Sequence, residues 1–127
     1  MTGIGKTILI VLAVLFVTGC NYNNEEELYP DTGQVCDTAT ATYSKSVLPV
    51  LQASCFACHS SADHAGSGGG LDLEDFGSLQ SVALGGALHG AISHSAGYSP
   101  MPRGGARLDS CSVALIKAWI DKGAPEN

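Results

Sequence analysis

Apolar residues fall into distinct patterns along this chain. An unbroken run from Ile8 to Val17 follows the single cation Lys6 and shows no period. Ten helical residues rise about 15 Å, half of a hydrocarbon core of roughly 30 Å, so the run has the length of a secretory signal rather than of a spanning helix. From Asn21 to Thr42 there is again no period, and the acidic run Glu25, Glu26, Glu27 with the turn signal Asp31-Thr32-Gly33 marks a solvated tether. Helical spacing starts in Ser44 to Ser54, with Ser46 as N-cap and Pro49 in the first turn, where a missing N–H costs nothing. At 100° per residue Val47, Val50, Leu51, Cys55 and Cys58 share one face. The clearest helix is Asp109 to Gly123, with Asp109 as N-cap, Lys122 in the last turn, Gly123 as stop and Pro125 beyond. Val113, Leu115, Ile116, Trp119 and Ile120 cover its apolar face, so it should pack across the first helix with Trp119 as a core anchor. Phe76 to Ala83 and Gly85 to Ser95 read as shorter helices.

These elements predict an all-α fold. Its 127 residues suit one domain, divided into a signal at 1–19, an acidic tether at 20–42 and a helical body at 43–127. A formal charge of -6 leaves no basic footprint, which excludes nucleic acid as a partner. Sixteen Gly against three Phe, four Tyr and one Trp leave little aromatic mass for an independent core. Such a chain needs a staple or a cofactor.

The strongest chemical signal is Cys55-Phe56-Ala57-Cys58-His59, the C-x-x-C-H spacing of c-type haem attachment. Two thiols add across the haem vinyl groups, and the adjacent imidazole reaches the iron, so one segment supplies both tethers and the proximal ligand. For this composition the pattern arises by chance with a probability of roughly 0.005. A thioredoxin-like dithiol would want a βαβ context, which the pattern lacks. A structural zinc site would want four closed ligands, but Cys55, Cys58, His59 and His64 crowd into ten residues without a second knuckle. The expected cofactor is one covalent haem c.

Val17-Thr18-Gly19-Cys20 resembles the lipobox of bacterial lipoproteins, which implies lipidation at Cys20 and a mature chain of 108 residues. The expected location is that of an exported lipoprotein, anchored to a membrane and facing periplasm or cell exterior. The five cysteines then divide: one to lipid, two to haem, and Cys36 and Cys111 left over in a compartment that favours disulfides. A bond between them would close 75 residues and stabilise by roughly 4 kcal/mol. Two free buried thiols are the alternative.

Iron held by His59 has one further axial position, and its occupant separates a carrier from a gas binder or catalyst. Met101 is the only methionine outside the signal, and it sits in Tyr98-Ser99-Pro100-Met101-Pro102, where two prolines stiffen the loop. It is the expected distal ligand, with His94, His89 and His64 as alternatives. Arg103 and Arg107 could pair with haem propionates or simply be solvated. Gly66-Ser67-Gly68-Gly69-Gly70 lacks the ending of a phosphate loop. It allows either a flexible loop or a backbone passing close to the haem, with Leu71 and Leu73 covering it and a carbonyl accepting from the His59 ring.

Together, C-x-x-C-H after an N-terminal helix, a downstream Pro-Met-Pro and an aromatic-bearing C-terminal helix resemble a small monohaem c-type cytochrome of the class I kind, over about Thr42 to Ala124. The resemblance implies crossing N- and C-terminal helices around a covalent haem and one-electron transfer, a carrier rather than an enzyme. By the same resemblance Cys55 and Cys58 are attachment sites, His59 is proximal and Met101 distal. The Cys36 and Cys111 pair, the lipid anchor and the Gly-rich segment depart from the family pattern. An acidic surface would steer toward a redox partner with a basic docking face. The alternatives are a haem enzyme or gas-sensing module with an exchangeable distal site, or a docking lipoprotein whose haem is structural.

Overall fold

The computed structural model describes residues 36–127. The signal run, the Cys20 lipid site, the tether as far as residue 35 and the location they imply lie outside the described residues. Among the described residues the chain is all-α, with no strand. A π-helical turn at Tyr43–Val47 leads into α1 (Leu48–Ser54), followed by α2 (Phe56–His59), α3 (Phe76–Leu84), α4 (Ala87–Ile92) and α5 (Ser110–Asp121). Among the described residues no helix is long and apolar enough to cross a membrane.

The first helical segment starts earlier than its sequence suggests. Thr42, not Ser46, is the N-cap: its hydroxyl accepts from the Lys45 N–H at 3.3 Å, and its own N–H donates to Ser46 Oγ at 3.3 Å. The reason is a remote partner. Asn127 accepts the Tyr43 N–H through Oδ1 at 2.8 Å and the Ser44 N–H through its carbonyl at 2.8 Å, satisfying donors that an isolated helix start would leave open. Leu48 bonds back to the Tyr43 carbonyl, so the turn is one residue wider than an α-turn just ahead of Pro49. A wider turn there relieves the clash between the proline ring and the carbonyl four residues back.

Against this turn packs α5, with Asp109 as cap accepting the Ser112 N–H at 2.9 Å. Trp119 is fully buried and donates its indole N–H to the Pro125 carbonyl at 2.8 Å. Tyr43 and Phe76 meet edge to face at 5.0 Å, and Trp119 completes the trio at 6.0 Å from Tyr43. Val47, Leu51, Leu79, Ala83 and Ile116 fill the rest of the core. The aromatic mass is small, but it is concentrated at one point.

Cys36 and Cys111 form a disulfide, with Cα atoms 5.5 Å apart. It ties residue 36 to the first turn of α5. The same stretch is held from the other end of α5, where the Lys122 ammonium donates to the carbonyls of Ala39 at 2.7 Å and Ala41 at 3.1 Å. Residues 36–42, read from sequence as the end of the tether, therefore pack onto the helical body, and Ala41 is buried.

Candidate functional site

Cys55 interrupts the helix it was expected to continue. Its backbone (φ -122°, ψ -42°) ends α1 and begins α2, while the Cys58 and His59 N–H groups donate to its carbonyl at 3.1 and 3.0 Å. The break shifts the phase of everything after it. Val47 and Leu51 stay in the core and Cys55 packs partly against it, whereas Cys58 is exposed. The single face that 100° spacing assigned to all of them therefore ends at Cys55. Both thiols nevertheless border the same space, a cavity of about 710 Å³ that lies within the roughly 300–1,000 Å³ range of cofactor pockets.

His59 lines this cavity as well, and its orientation is set from behind. Its Nδ1–H donates to the Leu71 carbonyl at 2.9 Å, and the Leu73 N–H returns to the His59 carbonyl at 2.9 Å. With the proton on Nδ1, the Nε2 lone pair is left for a metal, the second-sphere arrangement that haem and zinc histidines share. The Gly-rich segment makes this possible. A Cβ on Gly68 would lie 2.5 Å from the Cys58 carbonyl oxygen and 3.0 Å from His59 Nδ1, so only glycine lets the backbone pass here.

Met101 comes to the same cavity from the other side of the sequence. Its N–H donates to the Ala91 carbonyl at 3.0 Å, and its own carbonyl accepts from the His94 Nε2–H at 3.0 Å. His59 is the one histidine of the four that lines the cavity. His64 donates from Nδ1 to the carbonyls of Ser60 and Ser61 at 3.1 Å each, and it lies 4.0 Å from Asp72. His89 sits on α4 outside the lining. Arg103 borders the cavity and Arg107 does not.

The remaining walls are apolar: Leu71, Leu73, Val82, Leu88, Ile92 and Leu108. Tyr98 also lines the cavity, a contributor the sequence hides. Its ring lies over Gly90, where a Cβ would come within 2.4 Å of it. The one local hint is a glycine inside a short helix, which costs about 1 kcal/mol against alanine and so asks for a packing reason.

The chemistry of the thiols argues against two uses of the pair. Burial pushes the Cys55 thiol up to about 11, so it is protonated at neutral pH, the opposite of the activated thiolate in a dithiol oxidoreductase. Among the described residues no three His, Cys, Asp or Glu side chains gather as a metal-binding group, so Cys55, Cys58, His59 and His64 do not close a zinc site. A haem does fit what is present: two thiols and an oriented imidazole at one wall, a thioether at the same cavity, apolar surroundings and one guanidinium at the border. No family model, no curated protein and no solved structure matches the chain.

Proposed function

We propose that this chain is a one-electron carrier, a c-type cytochrome of the class I kind with one covalent haem, tethered to a membrane by lipid at Cys20. One observation carries the reading: a single cavity is bordered by Cys55, Cys58, His59 with a free Nε2, and Met101. Local spacing accounts for the first three residues, but nothing local brings in the fourth.

Cys55 and Cys58 would hold the haem covalently, each giving up its own S–H to one thioether, an addition that needs no oxidant. His59 Nε2 and Met101 Sδ would hold the iron. When bound, the haem supplies an Fe(III)/Fe(II) couple, whose potential thioether ligation raises relative to two imidazoles. Leu71, Leu73, Leu88 and Ile92 would exclude water from the group, and Arg103 would meet a propionate. The net charge of -6 would steer docking toward a basic redox partner, faster at low salt.

The test is expression of the full chain with c-type maturation machinery. The intact mass should include the porphyrin, and the Cys55→Ser/Cys58→Ser variant should lose it completely. The ferric protein should show the thioether-to-iron band at the red edge of its spectrum, and Met101→Ala should abolish that band and admit carbon monoxide to the ferrous form. Colourless wild-type protein with a porphyrin-free mass overturns the reading.

A further inference from the structure

We propose that His94 is a positioning residue for Met101, clamping the distal ligand through its backbone carbonyl from outside the cavity. The inference rests on the reading of Met101 as an iron ligand. It begins with how α4 ends. Ser93 is the C-cap, the His94 N–H donates to Ala91 O at 3.3 Å, and the Ser95 N–H donates to Gly90 O at 2.9 Å. This pair of bonds is a Schellman motif, and it puts His94 at the position just past the cap, in the left-handed conformation with φ 55°. Glycine is the usual residue there because it has no Cβ to strain. Histidine tolerates the region but gains nothing from it for the helix.

What histidine adds is its ring. The Nε2–H donates to Met101 O at 3.0 Å, while the Met101 N–H donates to Ala91 O at 3.0 Å. Both backbone groups of Met101 are thus fastened to the end of α4, one by the helix carbonyl and one by the side chain that replaces glycine. The Ala91 carbonyl accepts from both His94 and Met101, so helix end and ligand loop form one unit. The loop 98–101 has no other backbone bond to α4. Without the ring, the Met101 backbone would keep one hydrogen bond to α4 instead of two, leaving its thioether freer to swing away from the cavity.

The decisive substitution is His94→Gly, which suits the left-handed position and removes only the clamp. A residue that merely ended the helix would tolerate it with no spectral change. The clamp predicts an undiminished melting temperature together with a weakened thioether-to-iron band in the ferric full-length protein. It also predicts carbon monoxide association to the ferrous form about fivefold faster, the effect of losing one hydrogen bond on a loop's open population. His94→Gln places an amide donor the same number of bonds from Cα and should return both readouts to near wild type. A full band and wild-type carbon monoxide kinetics in His94→Gly overturn the proposal, and so does a Gln variant as impaired as Gly. If the wild type itself lacks the band and Met101→Ala matches it, the Met101 assignment fails first and the clamp fails with it.

Discussion

Trp119 has no exposed surface and its one polar atom is bonded to Pro125, whereas Cys58, His59 and Met101 border a cavity of about 710 Å³. The two regions share helices but use their residues differently. Around Trp119, side chains from the π-helical turn, α3 and α5 meet one another: Phe76 packs edge to face with Tyr43 and Trp119, Asn127 closes the first turn, and the Cys36 to Cys111 disulfide and Lys122 bind the entering segment of chain. Around His59, side chains from α1, α2, α3, α4 and two loops surround a space instead of filling it, and backbone hydrogen bonds hold what packing does not. A small domain with few aromatics can keep such a cavity because the opposite end is stapled. The difference separates stability from chemistry: one end resists unfolding, the other fixes the direction of a ring nitrogen and fastens the backbone of Met101.

That separation can be broken by substitution at either end. Trp119→Ala removes the largest buried side chain and should destabilise by about 3–5 kcal/mol in urea titration. At the roughly 4–8 °C per kcal/mol of a domain this size it should also lower the melting temperature steeply, while on the proposed haem reading the surviving folded protein should keep its ferric spectrum. A spectrum lost in step with Trp119 would mean that the two regions are one. Gly68→Ala should do the reverse. Its Cβ would strike the Cys58 carbonyl, backbone that cannot turn aside, costing about 1–3 kcal/mol and pulling Leu71 O away from the His59 ring. Resonance or visible spectra should therefore change more than the melting curve does.

The smallest effect belongs to the cap of α5. The Ser112 hydroxyl, and then the Ser112 N–H, holds the Asp109 carboxyl below its ordinary range. A carboxyl whose folded value is depressed stabilises at neutral pH, and the contribution fades as pH falls through the carboxylate range. Asp109→Ala should cost about 1 kcal/mol at pH 7, and the gap from wild type should narrow below about pH 4 when stability is measured by denaturant titration. A gap that stays constant to low pH would show that the charge plays no part.

Legibility in the sequence followed the same division. The α5 helix runs from cap to stop almost as its residues predict, because Asp109, the apolar face and Gly123 act within one helix. α3 likewise starts at Phe76, where Asp75 accepts the Ser78 N–H at 2.8 Å. The N-cap of the first segment was misplaced at Ser46, since the donors that let it start at Tyr43 are satisfied by Asn127, far along the chain. The common face assigned to Cys55 and Cys58 ended at Cys55, where the backbone leaves the helix. Of the expectations for the Gly-rich segment, the carbonyl that accepts from the His59 ring is present, and it belongs to Leu71. Tyr98 over Gly90 left only the helical glycine as a hint and the His94 bond to Met101 left none, because each joins residues whose relation exists only once α4 has turned its corner.

The spacing Cys55, Cys58, His59 needs no folded chain to be read, since the haem attachment proposed for it would need only five consecutive residues. The helices at either end are similarly local, governed by caps and periodicity over a few turns. Which side chains share a cavity is another matter. His59 and Met101 meet there because the Leu71 carbonyl, the Ala91 carbonyl and the His94 ring each bridge separate segments, and such bridges form when packing, not propensity, brings distant backbone together.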